Sequence, residues 1–79
     1  MQTKRLIKLS PGDANEFVSI ASRCEFEIDV TNNFRSSYAV DAKSLVGVMG
    51  LDFGEPLVVT YSGFNNELEA YLSVKSVAV

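Results

Sequence analysis

The sequence predicts an α+β fold, an open-faced β-sandwich in which helices cover one face of a four-stranded, mostly antiparallel sheet. Two kinds of periodicity support this prediction. Four segments alternate apolar and polar residues or are rich in β-branched residues, as strands do, and three place apolar residues on one helical stripe. Their order along the 79 residues is βαββαβα. A chain of this length buries only about 60% of its extended surface on folding, so we expect one domain over residues 1–79.

The first strand and the first helix follow each other directly. Residues 4–9 place Ile7 and Leu9 on one side of a strand and Lys8 on the other. Residues 11–23 then change to a helical period, with an apolar stripe made of Ala14, Phe17, Val18 and Ala21.

Two residues are candidates to cap this helix. One is Ser10, with Pro11 at the first helical position and Asp13 three residues further on. The other is Asp13 itself, with Glu16 three residues further on. In both cases we expect the helix to begin within four residues of the strand.

The second and third strands form a predicted hairpin. Residues 25–30 alternate strictly, with their apolar residues inward. Residues 31–34, TNNF, predict a turn because asparagine tolerates left-handed backbone. Residues 35–41 then return with Tyr38 and Val40 on one face. The inward residues of the second strand are Phe26, Ile28 and Val30.

The second half of the chain predicts a short helix, a strand and a last helix. Residues 44–50 form the short helix, which Ser44 caps and Gly50 closes. Residues 57–62 form a β-branched strand. The last helix begins at Asn65 or Asn66, and the pattern leaves its end open. Its stripe consists of Leu68, Tyr71 and Leu72.

The short helix has two kinds of apolar position. We expect Leu45, Val48 and Leu51 to face the sheet. Val46 and Met49 then point outward, because a helix this short cannot hide them.

Composition excludes several classes of function. The net charge is −3 and the lysines and arginines are scattered, so we expect no nucleic-acid partner. No apolar run approaches the roughly 20 residues that span a bilayer, and no signal peptide is evident, which predicts a cytoplasmic protein without membrane insertion. Cys24, the single cysteine, is expected to be a small buried hydrophobe. We expect no cofactor and no metal site, because the alternating Glu25, Glu27 and Asp29 do not converge on one point.

Two stretches resemble a known family. VDAKSLVGVMGLDFGEPLVV at residues 40–59 and NEFVSIASRCEFEIDV at residues 15–30 are similar to HPr, the small phosphocarrier of the sugar phosphotransferase system. The resemblance extends over nearly the whole chain, with a few extra residues at TNNFRSS, residues 31–37. It implies the HPr-like open-faced β-sandwich and a connection with sugar transport regulation.

The sequence departs from that family at the motif of its activity. HPr carries Gly-x-His-x-Arg-Pro at the start of the first helix, whereas this chain has LSPGDANEF at residues 9–17 and no histidine anywhere. We therefore interpret Ser10, Pro11, Gly12 and Asp13 as a degenerate former active-site loop and predict no catalytic residue. Ser10 falls near the place of the histidine, but a serine phosphate is a stable ester and a poor phosphoryl donor.

Two features of the short helix match the family. Ser44 matches the serine that HPr kinase phosphorylates in many Gram-positive bacteria, and its alternative role is that of a helix cap alone. The helix also corresponds to the surface with which the family contacts Enzyme I, the kinase and transcription regulators. The candidate partner-binding residues here are Val46, Gly47, Met49 and Gly50.

These observations favour a regulatory or protein-binding role over an enzymatic one. The leading hypothesis is a non-catalytic module that binds protein partners and is switched by phosphorylation at Ser44. One alternative is a phosphocarrier that uses a non-histidine acceptor. Another is a small-molecule-binding or self-associating α+β domain with the open sheet face as its interface.

Overall fold

The fold is a four-stranded antiparallel sheet with three helices, as the periodicity predicted. A computed structural model describes residues 2–32 and 39–77. A 3₁₀ turn at Pro11–Asp13 precedes the first helix. The elements in chain order are β1 (Thr3–Ile7), α1 (Ala14–Ser22), β2 (Ile28–Asn32), β3 (Val40–Asp41), α2 (Leu45–Met49), β4 (Leu57–Tyr61) and α3 (Asn66–Lys75).

The strands lie in the order β1-β4-β2-β3, and each neighbouring pair is antiparallel. The last strand in the chain, β4, therefore pairs with the first and the second strands. In these registers Ile7 pairs with Leu57, and Val30 pairs with both Val59 and Val40. Because side chains alternate along a strand, these pairs share the face that packs against the helices.

One hydrophobic core lies between the sheet and the helices. Each of the three helices contributes buried side chains to it, as do β1, β2 and β4. Ile7, Leu9, Ile28 and Val30 are buried, as the alternation predicted. The other members are Ala14, Phe17, Ile20, Ala21, Cys24, Ala42, Val48, Leu57, Val59, Tyr61, Leu68 and Leu72.

The second strand begins later than predicted. It starts at Ile28 rather than at Glu25, and it includes Thr31 and Asn32, so the turn predicted from residue 31 is wrong at those two positions. The reason is that the chain still bends at residues 24–26 after α1, with the half-buried Phe26 ring stacked on Tyr61 at 5.8 Å. The rest of the predicted turn and part of the third strand, with Tyr38, lie outside the described residues.

Other boundaries differ by a few residues. β1 ends at Ile7 and β4 at Tyr61, while α1 ends one residue earlier than the predicted Arg23. α3 begins after Asn65, whose side-chain oxygen accepts a hydrogen bond from the Leu68 amide at 2.9 Å.

The end of α3 is explained by pairing with β1. Ser76 has extended backbone and forms an antiparallel bridge with Ile7. The Val77 amide donates to the Leu6 carbonyl at 3.1 Å, and the Lys8 amide donates to the Lys75 carbonyl at 3.0 Å. Ser76 and Val77 therefore extend along the edge of β1 instead of prolonging the helix.

The short helix α2 has the predicted bounds, with Ser44 as its N-cap and Gly50 as its C-cap. Val48 is fully buried and Leu51 is half-buried, as expected. Leu45 was expected to face the sheet, but it is 40% exposed. A helix of five residues makes fewer than two turns, so Val48 reaches the core while the first residue of the helix remains at its margin.

Among residues 2–32 and 39–77, no helix combines the length and the apolar character that crossing a membrane requires.

Candidate functional site

The first candidate region is the loop of Ser10, Pro11, Gly12 and Asp13, which we call the α1 loop. Oδ2 of Asp13 accepts hydrogen bonds from the Ser10 amide at 3.0 Å and from the Ser10 hydroxyl at 3.1 Å. The Asp13 amide in turn donates to the Ser10 carbonyl at 2.9 Å. Of the two predicted arrangements, the geometry matches the pairing of Ser10 with Asp13, which encloses the 3₁₀ turn, whereas neither side chain makes a capping bond to α1 itself.

The α1 loop is tied to the end of α3. The Lys75 ammonium lies 3.4 Å from Oδ1 of Asp13 and 5.7 Å from the centre of the Tyr71 ring. The Tyr71 hydroxyl donates to the Asp13 carbonyl oxygen at 3.4 Å. Lys75 thus holds the carboxylate of Asp13 and Tyr71 holds its backbone carbonyl at the start of the first helix.

The charge of Asp13 is favoured by its surroundings. The hydrogen bond from the Ser10 amide is the main cause that lowers the pKa of this carboxyl; burial is the next largest effect and opposes it, while the Ser10 hydroxyl and then Lys75 lower the pKa further. Burial raises the pKa of Tyr71 to about 12, with contributions from the charges of Asp13 and Glu16. Asp13 is therefore ionised at neutral pH and Tyr71 is neutral.

The α1 loop is chemically unsuited to accept a phosphoryl group and pass it on. Free amides at the start of a helix attract anions, but here the Asp13 carboxylate already lies at that position and would repel a phosphate. The Ser10 hydroxyl points to Asp13, whose lowered pKa makes it a weak base. No group of three or more potential metal ligands occurs among the described residues.

The second candidate region is the exposed side of α2, which we call the α2 surface and define as Val46, Gly47, Met49 and Gly50. Val46 is 86% exposed and Met49 is 49% exposed. Gly50 is exposed, whereas Gly47 is half-buried. A Cβ on Gly47 would lie 3.3 Å from Cβ of Val40, so this glycine allows α2 to approach β3 closely.

Ser44 lies at the edge of the α2 surface with its side chain exposed. Its hydroxyl oxygen accepts a hydrogen bond from the Gly47 amide at 3.2 Å, as an N-cap does. An Asp41 side-chain oxygen accepts from the Lys43 amide at 2.9 Å and shapes the preceding turn. The Lys43 ammonium donates to the Cys24 carbonyl at 3.0 Å, which anchors this cation to the end of α1.

The two regions are separate sites on the helical side of the molecule. α1 packs against α2, while the α1 loop itself bonds to α3.

Cys24 follows the C-terminal end of α1 and is buried, and burial is the main cause that raises the pKa of its thiol. This agrees with the prediction of an inert apolar residue.

Two residues that contact the α1 loop, Lys75 and Tyr71, were not indicated by the sequence. Tyr71 was predicted only as part of a helix stripe, and Lys75 only interrupted that stripe. One signal was available, because a lysine in the last turn of a helix suits the negative end of its dipole. That signal does not identify Asp13 as the partner, since the contact depends on how α3 packs beside α1.

Comparison with protein-family models gives a match that covers most of the chain. The model described as PTS HPr component phosphorylation site matches residues 12–75. The chain belongs to the HPr family. Proteins of the HPr family are phosphocarriers rather than enzymes, and membership implies contact with components of the phosphotransferase system. A comparison with curated proteins returned no match.

Proposed function

We propose that this HPr-family protein is a non-catalytic, cytoplasmic module that binds protein partners through the α2 surface. The observation that supports the proposal most is that the chain contains no histidine while it keeps an exposed apolar α2. The phosphoacceptor of the family is a histidine, as the resemblance implies. Without an imidazole nitrogen, the chain lacks a nucleophile whose phosphorylated form is labile enough to transfer the group.

The arrangement of the α1 loop supports the non-catalytic part of the proposal. A carrier must admit a phosphate to the start of α1, and Asp13 occupies that position with a charge that Ser10 and Lys75 stabilise. Serine esters are also stable, so phosphorylation of Ser10 would trap the group instead of passing it on. We expect no phosphoryl transfer from phosphoenolpyruvate through this protein.

The distribution of exposed apolar side chains supports the protein-binding part. Of the five large hydrophobic side chains that are exposed among the described residues, three belong to α2. Leu45 adjoins the α2 surface and is 40% exposed, which enlarges the apolar area beyond Val46 and Met49. Clustered apolar side chains on a small soluble protein are typical of an interaction site. Flexible methionine suits a surface that contacts more than one partner.

Phosphorylation at Ser44 is the proposed switch of this surface. The hydroxyl is exposed and lies at the N-terminus of α2, where a phosphate would meet free backbone amides. The added negative charge would lie at the edge of an apolar contact area and would change its affinity for partners. The proposed partners are components of the phosphotransferase system, HPr kinase and a transcription regulator.

The function is tested with two phosphoryl donors. The protein is incubated with phosphoenolpyruvate and Enzyme I, and separately with ATP and HPr kinase, and its intact mass is measured. We expect no label in the first reaction and an acid-stable phosphate at Ser44 in the second. An acid-labile phosphate in the first reaction would show that the protein is a carrier after all. An unlabelled protein in the second reaction would contradict the proposal that phosphorylation at Ser44 is a switch.

The binding surface is tested by a matched pair of substitutions. Met49→Asp places a charge on the α2 surface, whereas Val74→Asp does so on α3, where Val74 is 78% exposed. Binding to Enzyme I and to HPr kinase is measured by calorimetry, with circular dichroism as the check of folding. We expect Met49→Asp to abolish binding and Val74→Asp to leave it unchanged. Equal binding by both variants would refute the assignment of the α2 surface.

A further inference from the structure

The side of the sheet that faces away from the helices, which we call the outer face, has an unusual pattern of residues. Ile7, Leu57, Val59, Ile28 and Val30 point into the core. Because side chains alternate along each strand, their neighbours in the sequence point the other way. The outer face therefore consists of Lys4 and Leu6 on β1, Val58 and Thr60 on β4, Asp29 and Thr31 on β2, and Asp41 on β3.

The centre of the outer face is apolar. Val58 is only 6% exposed, yet it does not belong to the hydrophobic core cluster. Leu6 is half-buried and also lies outside the residues that pack against that core. The two are direct cross-strand partners, and Thr31 is the partner of Val58 on its other side. Val58 itself adds almost no accessible area to the outer face, whereas the half-buried Leu6 and Thr31 on either side of it remain partly accessible.

The charges of the outer face are separated to its two edges. One row across the sheet reads Lys4, Thr60, Asp29 and Asp41, in the order of the strands. Its positive end lies on β1, and its negative end lies on β2 and β3. Lys8 follows Lys4 and Leu6 in the same alternation and adds a second positive charge along the line of β1.

The two carboxylates are placed unfavourably for an isolated molecule. The Ala42 amide donates to the Ile28 carbonyl at 2.9 Å. The adjacent Asp29–Asp41 pair is therefore of the non-hydrogen-bonded type, in which facing side chains lie closest. Like charges directly opposite each other on a sheet are destabilising. A cation above this pair would remove that repulsion.

We propose that the outer face binds the outer face of a second copy of this chain. A twofold axis parallel to the strands, between the two sheets, places β1 of one copy over β3 of the other. Lys4 then lies over Asp41 and beside Asp29 of the second copy, and symmetry repeats this contact. An axis perpendicular to the strands in the same plane would place β1 over β1 and oppose like charges. The charge pattern thus selects both the occupant and its orientation.

The dimensions of the outer face determine the strength of this association. Facing sheets pack roughly 10 Å apart, a gap that a lysine and an aspartate side chain span together. Three strands of five residues and the two-residue β3 make a face of at most roughly 19 by 17 Å, well below the ~800 Å² per partner of a standard interface. We therefore expect a weak dimer that forms at high protein concentration and dissociates as salt is added.

Dimerisation by the outer face is independent of the proposed function. The α2 surface is on the helical side of the sheet, so it stays accessible in the dimer. If Met49→Asp does not affect partner binding, the dimer proposal still stands. If the protein is monomeric, the proposal of partner binding through the α2 surface still stands.

The proposal is tested with charge variants by sedimentation equilibrium at low salt. Lys4→Glu gives two negative edges and should weaken the homodimer by about tenfold or more. Asp29→Lys combined with Asp41→Asn makes the formerly negative end of the row positive and should weaken the homodimer similarly, while asparagine keeps the acceptor for the Lys43 amide. Mixed together, these two variants should associate more tightly than either one alone. Glu16→Lys on α1 makes a charge change of the same size away from the outer face and serves as the control.

A wild-type protein that remains monomeric at the highest soluble concentration would overturn the proposal. So would a dimer that Lys4→Glu does not weaken, or a mixture of the two charge variants that shows no association.

Discussion

Replacing Asp13 by asparagine should destabilise the protein by about 1–2 kcal/mol at neutral pH. Asparagine has nearly the same shape and can keep its one oxygen on Ser10, so the loss measures the charge together with the acceptor that faces Lys75. That charge strengthens two hydrogen bonds from Ser10, at 3.0 and 3.1 Å, and attracts Lys75 at 3.4 Å. We assign about 1 kcal/mol to the former and less than about 1 kcal/mol to the latter, since the pair is partly solvated.

The pH dependence of this effect has a definite sign. The folded state lowers the pKa of Asp13, chiefly through the Ser10 amide. The carboxylate therefore contributes stability that is fully present above the pKa of the unfolded chain, about 3.9. The contribution is lost as the pH falls through the lower folded pKa. The difference between wild type and Asp13→Asn should be constant near neutral pH and shrink below about pH 4.

The assay is urea unfolding followed by circular dichroism at several pH values. A loss of 1 kcal/mol corresponds to about 4–8 °C in the melting temperature of a domain of this size. Glu27→Gln, which removes an exposed carboxylate before β2, is the control and should change stability by less than about 0.5 kcal/mol. An Asp13→Asn effect that persists undiminished at pH 2 would show that its cause is not the charge, and the account of the α1 loop would be wrong.

Three further substitutions test other contacts. Gly63 has φ of +152° and a Cβ there would overlap the Phe26 ring, so Gly63→Ala should cost about 1–3 kcal/mol in urea unfolding. Gly12→Ala, where only Ser10 Oγ lies near at 3.8 Å, is its control, and equal losses would contradict the steric reason. Tyr61→Phe removes the hydrogen bond from the hydroxyl to Glu69 at 2.5 Å and should cost about 1 kcal/mol. Burial, followed by this hydrogen bond, raises the pKa of Tyr61 to about 12. The contribution of the protonated hydroxyl to stability is therefore complete below about pH 10 and is lost as the pH rises through the folded pKa. Phenolate absorbance at pH 10 equal to that of the urea-unfolded chain would disprove the raised pKa. Ser44→Ala should lower the free energy of unfolding by about 1 kcal/mol, and Ser44→Asp should lower it by almost nothing, because aspartate also caps helices. Identical melting temperatures of Ser44→Ala and wild type would show that the cap contributes nothing to stability.

The parts of the fold that periodicity and capping determine were predictable. Val48 is buried, Val46 and Met49 are exposed, and Ser44 caps α2, because these properties depend on residues within one turn of a helix. The errors occurred where packing between distant segments decides. β2 begins late because the chain bends while Phe26 packs on Tyr61.

The candidate site divides in the same way. The sequence indicated that Ser10 and Asp13 cap the first helix, and it left two arrangements open. The structure selected one and added Lys75, because the end of α3 packs beside the start of α1. Leu45 shows the limit of helical periodicity, since a five-residue helix cannot bury every residue of its stripe.

The sequence by itself determined the layered α+β architecture, the short helix with its cap, and the lack of an imidazole for phosphoryl transfer. Each of these depends on residue types and their local spacing. Only the tertiary structure decided the strand order, the ion pair of Asp13 with Lys75, and the single row that joins Lys4 to Asp29 and Asp41. These relations connect residues far apart in the chain, and they follow from how the sheet and helices pack together.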